Sequence, residues 1–237
     1  MGPAMTTTVA VIIPALNEEQ VLGRTLERLK ESDTCELIVV DGGSSDATIP
    51  LARAAGATVL ESPRGRGRQM NAGAAAASSS ALLFLHADTL LPADFPQLIH
   101  KALARPGCVA GAFSLAIDGD ERSLAAIAWV ANLRSRLLHL PYGDQALFTT
   151  RRIFAAAGAF PEIAIMEDYV FIQRLKKMGK IAILPERATT SARRWRNMGI
   201  LRTTLINQLI VCGHAAGVPP ATLAIWYQRL RGVRKSV

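Results

Sequence analysis

The sequence predicts an α/β domain built on a doubly wound, mostly parallel sheet flanked by helices, with a helical extension at the C-terminus. Apolar runs at Val9–Leu16, Leu37–Val40 and Ala81–Leu85 are rich in branched residues and lack polar alternation. That is the pattern of parallel strands buried on both faces. Segments with helical apolar spacing alternate with these runs, as a wound sheet requires. The first two runs each end in a carboxylate-bearing turn, Pro14-Ala-Leu-Asn-Glu-Glu19 and Asp41-Gly-Gly-Ser-Ser-Asp46. Ligands of open α/β sheets bind beyond the carboxyl ends of the strands, so Glu18 and Asp41 stand where a ligand is held.

In chain order, Asn17 is a natural N-cap, and Val21, Leu22, Leu26 and Leu29 form one apolar stripe behind it. Ser45 or Asp46 caps a second helix, Pro50 falls in its first turn and Gly56 ends it. Thr58–Leu60 reads as a short strand, Arg64–Arg68 as a Gly/Arg loop and Gln69–Ala77 as an alanine-rich helix. Ala81–Leu85 leads into His86-Ala-Asp88; a helix over Asp94–Ala104 and a strand over Val109–Ile117 follow. Glu121–Leu140 is mostly helical, and Glu167–Met178 is a helix with Val170, Leu175 and Met178 inward. Ile181–Leu184 is one more strand, and helices over Met198–Val211 and Ala221–Leu230 flank Gly217-Val-Pro-Pro220.

The 237 residues are half hydrophobic, enough for one large core. Residues 1–7 read as an N-terminal tail outside the domain, with Met1–Ala4 a remnant ahead of a native start at Met5. Three widely spaced cysteines form neither a metal motif nor a disulfide framework, which fits a reducing cytoplasm. No window reaches the ~18 uninterrupted apolar residues that a spanning helix needs. The net charge of +8 is concentrated at the end, since no acid follows Glu186 while Arg187, Arg193, Arg194, Arg196 and later basic residues do.

Four carboxylates, Glu18, Asp41, Asp46 and Asp88, follow strands, and Glu167-Asp168 opens a helix. Asp46 reads best as a cap. Asp41 and Asp88 leave strands too apolar to host a charge, at neighbouring strand ends. In Arg64-Gly-Arg-Gly-Arg68, two glycines permit close backbone approach and the guanidiniums offer bidentate phosphate contacts; the alternative is a solvated basic turn. It is no dinucleotide fingerprint, because Met70 takes the third glycine's place. His86 has no His or Cys partner at metal-ligand spacing. Gly143-Asp-Gln-Ala-Leu-Phe148 puts an acid and an amide in a glycine-led turn, and Ser191-Ala-Arg-Arg-Trp195 sets two arginines beside an indole, readable also as an exposed strand end.

In this order the motifs resemble the family 2 glycosyltransferases of the GT-A fold, over residues 8–196, with residues 197–237 as a basic amphipathic helical extension. The resemblance implies a nucleotide-sugar pocket lined by Pro14, Ala15, Glu18, Asp41 and Asp88, with Arg66 or Arg68 on the phosphates. It makes Asp88 the ligand of a divalent cation, Mn2+ or Mg2+, although the family's first acid of that element is His86 here. It makes Asp168 the general base, and it puts Asp144, Gln145, Glu167, Arg194 and Trp195 on the acceptor side. Ser191 stands where processive members of the family carry glutamine.

The implied chemistry is an inverting, metal-dependent, hexosyltransferase-like transfer from a nucleotide-diphosphate sugar to a hydroxyl of a lipid or small molecule. One carboxylate plus two phosphates suffices for Mg2+ or Mn2+, which keep waters and lean on substrate phosphates. The basic C-terminal helices suit either an anionic membrane, at its cytoplasmic face, or packing on the domain or on a second copy. Two readings compete: a non-catalytic nucleotide-sugar binder, and a sugar-phosphate nucleotidyltransferase. The latter is disfavoured by the acidic turn after the first strand. A nucleic-acid partner is excluded by the carboxylate cluster and the scarcity of aromatics among the basic residues.

Overall fold

The computed structural model describes residues 8–32 and 35–231. The N-terminal tail at 1–7 and the basic residues Arg234 and Lys235 lie outside them. Val9–Ala15 (β1), Cys35–Asp41 (β2), Thr58–Glu61 (β3) and Ala81–Phe84 (β4) are the parallel strands of the first half. Thr89–Leu90 (β5), Cys108–Asp118 (β6), Leu147–Thr150 (β7) and Lys180–Ser191 (β8) extend them into one sheet of order β3-β2-β1-β4-β7-β6-β8-β5. β7 runs antiparallel to both β4 and β6, and β5 antiparallel to β8. The sheet is therefore mostly parallel with antiparallel insertions.

Both faces are covered because both faces of the strands are apolar. Val9, Val11 and Ile13 pack with Leu22, Leu26 and Leu29 of α1 (Glu19–Lys30) and with Phe95 and Ile99 of α4 (Phe95–Leu103). Ala10 and Ile12 point the other way, onto Met70 and Ala74 of α3 (Arg66–Ala76) and Phe171 and Leu175 of α7 (Glu167–Lys176). Truncating a fully buried side chain such as Ile12 to alanine costs about 2–5 kcal/mol. Gly73 sets the approach of α3, since a Cβ there would lie 2.4 Å from Ile12 Cγ2. Thr48–Ala54 (α2), Arg122–Leu138 (α5), Arg151–Ala156 (α6), Arg193–Met198 (α8), Ile200–Ala215 (α9) and Pro220–Arg231 (α10) complete the chain.

Several local expectations are corrected. Arg66, Gly67 and Arg68 are the first turn of α3 and not a loop; Gly65, at φ +145°, turns the chain into it. Asn17 does not cap α1; Glu18 holds that place, and Asn17 sits at φ +53° with its side chain turned to the next loop. β8 runs on to Ser191 because Pro185 and Glu186 bulge out where Phe113 pairs Leu184 and Ser114 pairs Arg187. The proline that reads as a strand end is thus a bulge inside one. Arg193-Arg-Trp195 is helix α8 and not a strand end, because Trp195 is buried against Leu115, Ile117 and Leu124. In α7 the inward residues are Phe171, Ile172 and Leu175; Met178 lies beyond the helix and is exposed. Of the short elements, β5, β7 and α6 carry too few residues to show a period in sequence.

The C-terminal helices pack on the domain. Ile206 and Ile210 of α9 and Leu223 of α10 form one cluster with Met166. α9 is apolar on its outer face as well, where Leu201, Leu205 and Leu209 are exposed, so it departs from the expected one-faced amphipathic pattern. Among the described residues no helix is long and apolar enough to cross a membrane.

Candidate functional site

The turns after β1 and β2 are stitched to each other. Asn17 N–H donates to Ser44 Oγ at 2.9 Å, Ser45 N–H to Asn17 Oδ1 at 2.9 Å and Ala47 N–H to Glu19 Oε2 at 2.9 Å. Thr48 Oγ1 accepts from Glu18 N–H at 2.8 Å. Asp46 accepts from Thr48 N–H and Glu19 N–H at the starts of both helices, although the N-cap position of α2 is Ala47, one residue beyond the expected Asp46. Asp41, 1% exposed, accepts from Gly43 N–H at 2.8 Å, Ser44 N–H at 2.9 Å and the Ser44 hydroxyl at 2.5 Å. Beneath this rim, Gln69 of α3 donates to the carbonyls of both Ala15 and Val40, tying the ends of β1 and β2. Sequence alone does not single out Gln69, one of two amides, with Asn71, in the first turns of α3.

The next ring of residues lies at the end of β4. Asp88 is half-buried, and its Oδ1 receives one long bond, 3.4 Å from the Thr190 hydroxyl. Asp168 opens α7 with both oxygens on backbone N–H groups, Gly143 at 2.7 Å and its own neighbour Tyr169 at 2.7 Å. A Cβ at Gly143 would lie 3.1 Å from His86 Nε2 and 3.2 Å from Asp168 Oδ2, so a side chain there would press on both groups. Burial, with the Arg66 and Arg194 guanidiniums nearby, drives the His86 pKa well below its ordinary value. Glu167 is 5% exposed and 3.9 Å from Arg66. Burial and the adjacent Asp168 raise its pKa, which Arg66 partly offsets.

α8 bridges the two halves. Arg193 reaches Glu18 at 2.6 Å, while Arg194 and Trp195 turn to the other side. That side holds a cavity of about 370 Å3, walled by α5, α7, α9 and α10. Of the sequence-derived candidates, Arg66, Asp144, Glu167, Asp168, Arg194 and Trp195 line it. A cleft of about 10 Å3 leads off it, sharing Arg66, His86, Glu167 and Asp168 and reaching Pro14. Ala15, Glu18, Asp41, Arg68, Asp88 and Gln145 do not line the large cavity. Arg68 pairs with Glu162 at 2.9 Å on the surface. Gln145 is fully buried and bonded to the Ser135 hydroxyl and the Phe113 carbonyl, a brace for the Gly143–Gln145 turn.

Two residues of the cavity lining carry buried polar atoms without a hydrogen-bond partner, as Thr89, His100 and Glu186 do elsewhere. Asp144 Oδ1 is sealed from solvent without a partner, and so is Trp195 Nε1. Burial raises the Asp144 pKa against the pull of Arg134 and Arg194. Residues missed from sequence include Arg134, whose guanidinium stacks 3.5 Å over the Tyr142 ring, and Asn207 and Gln208 of α9. Among the described residues no group of three His, Cys, Asp or Glu gathers to hold a metal ion. Asp88, the ligand that the resemblance implies, is a single carboxylate past the end of β4, a donor type that suits an ion completed by phosphates and water.

Residues 10–158 match the family described as glycosyl transferase family 2. The chain belongs to that family. The match ends before Asp168 and α8. Glucosyl-3-phosphoglycerate synthase of Mycolicibacterium smegmatis is 33% identical over 192 residues, 68% of this chain and 63% of the relative. The chain thus spans less than two thirds of the length of that relative, and the match to an uncharacterized glycosyltransferase of Mycobacterium bovis covers 42% of it. Among solved structures, the Mycobacterium tuberculosis glucosyl-3-phosphoglycerate synthase with Mn2+, UDP and glucosyl-3-phosphoglycerate superposes at TM-score 0.62, with 24% identity, over 87% of this chain and 80% of that one. A Pyrobaculum calidifontis mannosyltransferase with GDP-Man and Mn2+ gives 0.62, with 18% identity, over 94% of this chain and 69% of that one. The fold of this glycosyltransferase-family chain is GT-A, as its motif order suggests.

Proposed function

We propose that this chain transfers a sugar from a nucleotide-diphosphate donor to an acceptor hydroxyl, with inversion at the anomeric carbon. The observation that carries the reading is Asp168, fixed by the Gly143 N–H at the junction of the narrow cleft and the large cavity. The donor lies along the strand ends, toward Pro14, Glu18, Asp41 and Asp88. Arg66, at the mouth of α3 and shared by both spaces, meets the diphosphate. Asp168 takes the proton of the acceptor hydroxyl held in the large cavity. Asp88 would hold Mn2+ or Mg2+ together with the donor phosphates; when bound, that ion offsets the charge on the departing diphosphate. His86, in place of a first acid, leaves the site one carboxylate short, which favours cation binding only together with the donor. Its neutral imidazole adds no charge that opposes the ion.

The second reading is a binder without turnover, favoured by that lone Asp88. Family membership and the acidic turn after β1 speak against a nucleotidyltransferase. The domain with α8 to α10 packed on it supports a cytoplasmic protein able to rest on the inner face of a membrane. A homodimer through the same helices is the alternative use of that surface.

The test is a panel of UDP-, GDP- and dTDP-sugars with and without Mn2+, read by thermal shift and by donor hydrolysis. One donor should raise Tm only with the cation and be slowly hydrolysed by wild type. No shift with any donor defeats the proposal; a shift with no hydrolysis and no transfer supports the binder.

A further inference from the structure

The large cavity is chemically divided. Its inner end carries His86, Asp144, Asp168 and Arg194. Its apolar lining comes from Ile127, Val130 and Ala131 of α5 and from Ile165, Ile210 and Val211, and Val130 marks where that lining reaches the surface. The apolar wall continues past the rim. Val130 lines the cavity and is still 56% exposed; Trp129, Leu133 and Leu137 follow on the adjoining face of α5, all exposed. On α9, Leu201, Leu205 and Leu209 recur every fourth residue beside the cavity-lining Gln208, at 80%, 69% and 45% exposure. Scattered apolar residues on a surface need no explanation, but two ridges on the helices that wall one opening do. Positive charge accompanies them: Arg202 on α9 and Arg229 and Arg231 on α10, with no acid after Glu186.

We infer that the acceptor is a lipid-held amphiphile. Its hydroxyl-bearing head lies at Asp168, and its apolar chain runs along Val130 and Ile210 and leaves between the two ridges. The ridges rest on the anionic lipid surface from which it is drawn, each basic side chain near that surface adding to the attraction. A cavity of about 370 Å3 is of ligand size, and a fully polar acceptor would leave its outer wall facing water. The inference rests on reading this cavity as the acceptor side of the proposed transfer.

Calorimetry on the full chain with butyl, octyl and dodecyl glycerol ethers, below micelle formation, tests it. Affinity should rise about three- to fourfold for each added methylene until the outer end is filled. Val130→Asp, a change at an exposed position, should flatten that dependence while leaving the donor-induced thermal shift intact. The pair Leu205→Ser and Leu209→Ser, also exposed, should lower co-sedimentation with phosphatidylglycerol vesicles about tenfold and again spare the donor shift. Equal affinity for all three ethers, or vesicle recovery unchanged by the pair, overturns the inference. Loss of the donor shift in wild type would strike the proposed transfer alone, and the chain-length series would still decide what the cavity holds.

Discussion

The rim above β1 and β2 and the cavity under α9 divide the site into two regions of opposite character. In the rim the two turn motifs answer much of each other's polarity, Asp41 on Gly43 and Ser44, Asn17 on Ser44 and Ser45, Asp46 on Thr48 and Glu19, while the Glu18 carboxylate pairs with Arg193 of α8. In the cavity, Asp144 Oδ1 and Trp195 Nε1 are left without partners. A saturated network is rigid and fixes a shape before any ligand arrives. An unsatisfied group is costly until a ligand answers it. The difference suits a rim that presents a preformed surface and, on the proposed reading, a cavity side that carries the chemistry.

The sharpest way to break this division is Asp168→Asn. The amide keeps the size of the side chain and can still accept from Gly143 N–H, but it cannot take a proton. Transfer should fall about 10^3-fold, within the range for losing a general base. Donor affinity, measured by calorimetry with the cation present, should stay within about twofold. A variant that transfers at a near wild-type rate would move the base elsewhere in the cavity.

Next in size is Asp41→Ala. It removes the acceptor of two part-buried backbone hydrogen bonds and of the Ser44 hydroxyl, so stability should drop by about 1–3 kcal/mol in urea unfolding. Asp41→Asn, which retains an accepting oxygen, should recover much of that. If Asp41 serves only the rim, the Asn variant binds donor like wild type; if it also meets the nucleotide, donor binding stays weak although the fold is restored.

The same division explains what could be read from sequence. The rim is contiguous: each motif is a short run at the end of an apolar strand, and the ladder places Ala15 beside Asp41 without further information. The two-sided apolar pattern of β1, β2 and β4 likewise dictates a wound sheet. The cavity is assembled from residues far apart in the chain, such as His86, Arg134, Asp168 and Gln208, and no spacing announces that they meet. Asp144 could be found as an acid in a glycine-led turn, but its sealed oxygen could not. β7 was missed because four residues between a turn and a helix carry no period, yet it supplies the antiparallel strand that carries Gly143 to Asp168. α8 was misread because its reason for being helical, burial of Trp195, lies in contacts with β6 and α5.

The smallest expected effect sharpens the comparison most finely. Burial raises the folded-state pKa of Asp144 above its unfolded value of 3.8. A carboxyl with a raised folded pKa stabilises the fold in its protonated form. That contribution is complete below the unfolded pKa and is lost as pH rises through the folded one. At neutral pH the charge therefore weighs against the fold, and Asp144→Asn should remove the penalty. The variant should melt above wild type at pH 7.5 in a thermal scan. Near pH 3.5 the two should melt together, because the protonated acid and the amide are then alike in charge. A matching rise in Tm when wild type binds an alkyl glycerol ether at pH 7.5 would show that the acceptor answers the same oxygen. If Asp144→Asn instead melts lower at pH 7.5, the ionised carboxylate is already satisfied, and the cavity is as complete without a ligand as the rim.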